Sequence, residues 1–464
     1  MKLPDINLNS IATLTEAKNV IELLLKAYRE QQSQITRLEA EIARLKGQPK
    51  KPLFKTAGNT SKSSVTFLLS VKKKWHKKSK GRLPIDQKVT LPEIDTCVCG
   101  GETFKLLRSY TKIVQGMLFI RNNVSYHGRE KQCLDCGKTH KSILPVELKG
   151  ISFDPNLRSL ISFFKYGCRM TYPLIHRMLT GFGIQISYGE INQILLSNGD
   201  KLKSAFTHLQ TAGVAKSNFV QSDATGAKRK EKHTGRIINQ YIQVISNRLL
   251  SIFFITRSYN AKTLNKLLGT IGIQKPFVSD DGSPNGDSCK CKIKQVCWIH
   301  EIRHYKKLFP FFNSHHALQE KILTKWQHFY HMSKQYGSDP PITATINKKQ
   351  EIESLFDQIT NQNTGYDLLD KQLSLTRKKK DRLLTFLNHP YLPIQNNQCE
   401  QDLRMFVIIR KISGETKSVR GNKSLERHLS IIQTAYKQGL NVFETLHGLL
   451  TNQLSPAVLT ANIC

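Results

Sequence analysis

Three carboxylates stand where a chain could do chemistry with them. Asp223 follows Ser222 after the apolar run NFVQ, Asp280 follows Ser279 after KPFV, and Glu400 lies in PIQNNQCEQDLRMF. An apolar strand that ends in a carboxylate brings charge to a sheet edge, where desolvation is costly unless a cation compensates it. The third acid belongs to a helix that begins after Pro393 and the asparagine pair. On it Cys399, Leu403, Phe406 and Val407 make the packed stripe, and Glu400 falls at the edge of that stripe, toward the sheet. The three acids are therefore expected to meet. Plainer roles stay open: Asp223 and Asp280 as turn residues that end strands, and Glu400 as the capping-box partner of Asn397.

A second set of ligand types is the cysteines. Cys97 and Cys99, in CVCGG, face Cys133 and Cys136, in CLDCGK, across 33 residues. Paired knuckles with Gly after the second Cys suit a four-thiolate zinc ribbon, because Gly lets backbone amides approach the sulfurs in a tight turn. The first knuckle is C-x-C, a strained spacing for two tetrahedral ligands of one ion, so reduced structural cysteines or a metal-free ribbon remain alternatives. Cys289, Cys291, Cys297 and His300 are a further S/S/S/N set, for which a buried thiol beside a hydrogen-bonded histidine is the commoner outcome.

The elements that must position these groups can be read from periodicity. After residue 217 the pattern becomes that of strands: NFVQSDATGAK, NQYIQVISN and LLSIFFITRS, then the helix-like NAKTLNKLLGTIG, then KPFVSDD and QVCWIH. Three β-rich runs, a crossover helix and further short strands point to an α/β fold of the ribonuclease-H-like kind. Between Glu301 and His389 a largely helical insertion with few apolar positions is expected. Ahead of the strands, LRSLISFFKYG, YPLIHRMLTGFG and GEINQILLSNGDKLKSAF carry helical apolar stripes broken by Gly and Pro. Such short helices suit DNA binding or serve as a core-only linker.

Nearer the start, Ile21, Tyr28, Ile35 and Ile42, with Ala17, Leu24, Leu38 and Leu45, fall at heptad positions, which predicts a short coiled coil and self-association. Lys46–Lys88 holds thirteen Lys or Arg against the single acid Asp86, and reads as a flexible basic linker. In its densest part Lys72, Lys73, Lys74, Lys77 and Lys78 suit phosphates, with Trp75 able to stack. The resulting organisation is a coiled coil at 1–46, a basic linker at 47–90 and a zinc-ribbon-like module at 91–150. A helical DNA-binding segment at 151–212 and a catalytic domain at 213–464, with its insertion at about 301–390, complete it.

The chain of 464 residues carries 70 Lys and Arg against 35 Asp and Glu, a net charge of +35. That balance selects polyanionic partners, nucleic acid first. A basic peripheral membrane protein is disfavoured, since no run of 18 apolar residues and no Trp-rich amphipathic anchor is found. The opening MKLPDINLNS lacks the apolar run of a signal peptide, so a cytoplasmic protein with reduced thiols is expected.

The segment NNQCEQDLR, followed by Arg410-Lys411, Ser413-Gly414, Gly421 and SIIQTAYKQGLNVFETL, resembles the C-terminal signature of the insertion sequence 66 family of DDE transposases. CWIHEIRHYKKL at Cys297 is similar to that family's Cys-Trp-x-His segment, and KSKGRLP precedes a cysteine knuckle pair as it does there. The resemblance spans roughly residues 78–450 and implies a transposase of a bacterial insertion sequence, acting at the nucleoid. It implies Asp223, Asp280 and Glu400 as catalytic acids, with Asp281 as a rival for the second position, and Cys297 and His300 as supports. Such acids hold two Mg²⁺, or Mn²⁺, about 3.5 to 4 Å apart for phosphodiester cleavage and strand transfer. Arg404, one turn after Glu400, would bind a flanking phosphate or pair with Glu400. Double-stranded DNA, at element ends and target, is the implied substrate, and accessory proteins of the same element are a further class of partner. The C-x-C knuckle, the missing aromatic after the second acid and the extra Cys289/Cys291 pair depart from the family pattern. An inactive or repurposed copy that only binds DNA, or a nuclease that cuts without joining, are the competing readings.

Overall fold

The computed structural model describes residues 121–463 apart from 146–147, 232–233, 283–288, 311, 339–344 and 415. Nearer the start it describes 21–22, 25, 28, 85, 87–91, 98–102 and 111–112. The chain divides into two compact units, Met1–Thr111 and Lys112–Cys464. In the first, Ile21, Glu22, Leu25 and Tyr28 are helical, with Ile21 and Tyr28 exposed. The remainder of the expected coiled coil, and the basic stretch Lys72, Lys73, Lys74, Trp75, Lys77 and Lys78, lie outside the described residues.

The second unit opens on a small antiparallel hairpin, β1 (Glu130–Gln132) and β2 (Thr139–Lys141), whose turn carries Cys133 and Cys136. Three helices follow: α1 (Pro155–Ser162), α2 (Tyr172–Gly181) and α3 (Tyr188–Lys201). Each starts on a side-chain cap that satisfies a free backbone amide: Asp154, Thr171, and the Ser187/Glu190 capping box.

A five-stranded mixed sheet forms the centre, with order β5-β4-β3-β6-β7. β3 (Val220–Lys230), β4 (Ile237–Ser246) and β5 (Ser251–Thr256) make an antiparallel meander. Helix α4 (Ala261–Ile273), capped by Asn260, crosses over so that β6 (Phe277–Ser279) lies parallel to β3, and β7 (Lys294–Val296) adds parallel to β6. One expectation needs correction. β3 does not end at Asp223 but runs seven residues further, because Ala224–Lys230 keeps pairing with β4. Only its parallel neighbour β6 stops, at Ser279.

The insertion comprises α5 (Trp298–Lys306), α6 (Asn313–Ser338), α7 (Thr345–Thr360) and α8 (Asp367–Lys378). Its apolar positions are sparse but large. Trp298, Tyr305, Trp326, Phe329 and Phe356 close into a core of their own, with Trp298 and Phe329 ring centroids 4.5 Å apart. The chain returns through α9 (Asn397–Ser413), which packs on β3 and β4, then α10 (Val419–Lys437) and α11 (Val442–Leu450). Residues of α1–α3 (Ile161, Ile175, Ile191, Leu195) share one core with the sheet (Ile242, Val244, Phe253) and α10 (Leu429, Ile432). The segment read as a separate helical module is thus built into the body that carries the sheet. Among the described residues no helix is long and apolar enough to cross a membrane.

Candidate active site

β3 and β6 run parallel with Ser222 opposite Ser279, so Asp223 follows within β3 and Asp280 just past the end of β6. Asp223 is half buried and accepts the Ala224 amide at 2.7 Å. Its carboxyl is pushed up to about 6, chiefly by burial; the Ala224 bond opposes the rise, and the charges of Asp280 and Glu400 add to it. Gly282 sits against Asp280, where a Cβ would stand 3.3 Å from both carboxylate oxygens. The next residue points elsewhere: Asp281 pairs with Lys379 Nζ at 2.8 Å, and Lys379 also takes the fully buried Glu301 at 2.7 Å.

Glu400 comes from the first turn of α9, and that turn is held by the asparagine pair. Asn396 is fully buried, and its Nδ2 donates to the Ser222 carbonyl at 3.0 Å while its backbone amide donates to Cys297 Sγ at 3.2 Å. The preceding Gln395 accepts Gln221 Nε2 at its carbonyl (3.1 Å) and the Tyr330 hydroxyl at its side chain (2.7 Å). The start of the helix is thereby tied to the strand before Asp223 and to the insertion. The alternative capping box on Asn397 does not form, since Asn396 is the cap residue and no side chain bonds there.

Cys297 joins the same elements. Its amide donates to the Ser279 carbonyl at 2.9 Å and its sulfur accepts from Asn396, while burial raises its thiol. His300, one turn along α5, places Nε2 3.5 Å from Glu400 Oε1 and 3.0 Å from Arg303 Nη1. Burial lowers its pKa, and Arg303 adds to this against the opposing pull of Asp280 and Glu400. Arg303 itself reaches Glu400 Oε1 at 3.5 Å. Sequence reasoning passed over Arg303, although its place three residues after His300 puts both on one helix face. It also missed Lys379, whose role depends on a fold-level encounter no local pattern encodes. Arg404 is exposed on α9, and the ion pair of Glu400 goes to Arg303 instead.

The cysteines divide. Cys97 lies outside the described residues and Cys99 is exposed. In the β1–β2 turn the amides of Cys136 and Asp135 point at Cys133 and lower its thiol, as a metal-binding knuckle would require. Gly137, at φ 71°, makes that turn possible. Cys289 and Cys291 hydrogen-bond to each other inside the main core, apart from Cys297, which faces Asn396. Among the described residues no three His, Cys, Asp or Glu side chains form a group arranged to hold an ion. The S/S/S/N set is therefore not assembled, and the three acids share one edge and one electrostatic field without forming a closed group.

Residues 150–424, more than half of the chain, match the family described as Transposase IS66 family. The chain is also similar to a curated protein of Sinorhizobium fredii, Uncharacterized protein y4jO, at 33% identity over 153 residues. That stretch is 32% of this chain and 46% of the relative, so the chain spans less than half of that protein's length.

Proposed function

Because the chain belongs to the IS66 family of transposases, we propose that it binds the ends of a bacterial insertion sequence and catalyses metal-dependent strand cleavage and strand transfer with Asp223, Asp280 and Glu400. The observation that carries this reading is the field that Asp223 on β3 shares with Asp280, just past β6, and Glu400 on α9, whose charges add to the burial that raises the Asp223 carboxyl to about 6. The strand order, a three-stranded meander extended by two parallel strands, supports a ribonuclease-H-like catalytic domain.

The donor set suits hard divalent cations. The charges of Asp280 and Glu400 both act against ionisation of Asp223, and two further buried oxygens, Ser222 Oγ and Asn396 Oδ1, have no hydrogen-bond partner among the described residues. Mg²⁺ or Mn²⁺ held by the three acids would activate the attacking hydroxyl and stabilise the leaving oxygen of the phosphodiester. The protein's own part is positioning. Asn396 and Cys297 fix the two strand ends and the helix start, Arg303 and a neutral His300 orient Glu400, and Lys379 draws Asp281 away from the site. Asp280 is accordingly the second acid. No protein nucleophile is assigned. Zinc held by Cys97, Cys99, Cys133 and Cys136 would order the module at 91–150. Lys72–Lys78 with Trp75, and Arg404, would contact phosphates of the DNA ends.

Asp223→Asn, Asp280→Asn and Glu400→Gln keep shape but remove ligand charge. Each is expected to reduce Mg²⁺-dependent cleavage and strand transfer on an element end at least a thousandfold with DNA binding intact. Wild-type strand transfer in any of the three would sink the assignment. An unsubstituted chain that binds element ends but shows no cleavage with Mg²⁺ or Mn²⁺ would leave the protein a DNA-binding module only.

A further inference from the structure

β3 and α9 both lead away from the acids into a cleft of about 1230 Å³ lined by the segment after α1, by α2 and α3, the far end of β3 and the α9–α10 connection. Alternation along β3 puts Asp223, Ala227 and Arg229 on one face, with Arg229 about 20 Å beyond the acid. Arg410 lies ten residues after Glu400 on α9, about 15 Å along the helix. The cleft's lining is cationic: Lys165, Arg229, Arg410 and Lys417 against the lone acid Glu231, while Lys228 alternates to the exposed face of β3.

Two of these cations are built in. Arg229 is 6% exposed, its Nε is buried with no hydrogen-bond partner, and its ion pair is with Glu231 at 3.4 Å. Lys165, equally buried, donates to Ser413 Oγ at 2.9 Å and the Met170 carbonyl at 3.4 Å and sits 4.7 Å over the Tyr172 ring, with no carboxylate partner among the described residues. An uncompensated charge at that depth is costly unless an anion arrives. The N-terminus of α10, capped by Ser418, adds further positive potential at the rim. The cleft exceeds the 300 to 1,000 Å³ or so of small-molecule sites. A phosphate on a duplex surface meets exposed side chains, whereas Arg229 is buried in the wall of the cleft. Tyr188, exposed beside the cleft, offers a stacking face.

We propose that this cleft holds the sugar–phosphate backbone of a single DNA strand continuing from the acids. The proposal rests on the reading of DNA as the substrate. The full-length Asp223→Asn protein, expected not to cut, is mixed with an oligothymidylate of about eight nucleotides, with a duplex of the same length, or with pyrophosphate, and lysines are footprinted by acetylation. Lys417 is expected to be protected by the single strand at lower concentration than by the duplex. In the Lys417→Ala variant, an exposed position away from the core, single-strand affinity should fall several-fold. The slope of log K against log salt should flatten by roughly 0.7, the share of one cation. Arg229→Gln should lower affinity again. A reactive Lys417 at saturating oligonucleotide, protection by duplex alone, protection by pyrophosphate but not DNA, or an unchanged slope would each overturn the proposal. A variant that binds single strands normally, while the acids remain essential for cleavage, removes the cleft assignment and leaves the catalytic one. A footprint that persists while Asp223→Asn still cuts removes the catalytic one alone.

Discussion

Two adjacent acids, Asp280 and Asp281, show how single residues divide the work at the end of β6. Asp280 shares a field with Asp223 and His300, while Asp281 is claimed by Lys379, which it meets at 2.8 Å. Lys379 has a second obligation. Burial opposes its charge, but Glu301 and Asp281 together raise its pKa, and Glu301 has no exposed surface through which water could replace it. Removing one partner of a buried pair leaves an uncompensated charge. Lys379→Met is therefore expected to destabilise the protein by about 3 kcal/mol in chemical denaturation, and Lys379→Met/Glu301→Gln should recover most of that loss. Equal destabilisation in both proteins would show that the lysine acts by packing alone. Asp281→Asn, at the more exposed end of its pair and leaving Lys379 its bond to Glu301, should cost under about 1 kcal/mol and leave cleavage near wild type, which separates it from Asp280→Asn.

At the scale of elements, α10 does two things that its amphipathic pattern only half reveals. β5 is a sheet edge, and its outward amides at Ser251, Phe253 and Ile255 donate to Thr434, Ser430 and Glu426 of α10 at 3.1, 2.9 and 2.6 Å. Two residues of strand and four of helix advance about 6 to 7 Å each, so the two ladders stay in step and the edge is closed. On its other face His428 joins α1 and α3: its Nδ1 donates to the Ser424 carbonyl at 2.8 Å, and Nε2 accepts from Ser162 Oγ, which in turn accepts from Asn198. Complete burial lowers the His428 pKa to about 4. The unfolded chain takes up the proton near 6.5 while the folded one refuses it. Stability is thus unaffected above pH 6.5 and falls as pH drops toward 4, by about 3 kcal/mol for this group. His428→Asn, which keeps a donor near Nδ1, should be less stable at neutral pH but lose that acid slope in urea titrations; identical slopes in the two proteins would refute the linkage. What the sequence made legible here was periodic: the three meander strands, the crossover helix from Asn260, and the acids after paired serines. The length of β3 was not, because its outer half pairs with β4 while exposing Gly226, Lys228 and Lys230, so no apolar alternation marks it. The aromatic core of the insertion was missed because few positions carry it, and Arg303 and Lys379 because their meaning is tertiary.

At the scale of the whole molecule the net charge of +35 poses a problem of assembly as much as of binding, since like-charged copies repel unless something specific holds them together. The heptad run at residues 14–45 is the segment suited to that. Ile21 and Tyr28, one heptad apart, are helical and 48% and 55% exposed in the single chain, apolar surface of the kind a seam would cover. The proposed strand transfer supplies a reason, since joining two element ends at one target would be work for at least two sets of acids. Residues 1–46 lie within the unit Met1–Thr111, apart from the body that carries the acids, so their deletion should spare that body's fold. Light scattering at moderate salt should then give a dimer or larger for the full chain and about the monomer mass for the truncated one. The truncated protein is expected to keep metal-dependent nicking of a single end but to lose coupled transfer of two ends. A truncated protein that keeps the full-length oligomeric mass would place the self-association surface elsewhere. If the truncated protein were monomeric and still joined paired ends at the wild-type rate, the coiled coil would serve some purpose other than bringing two sets of acids together.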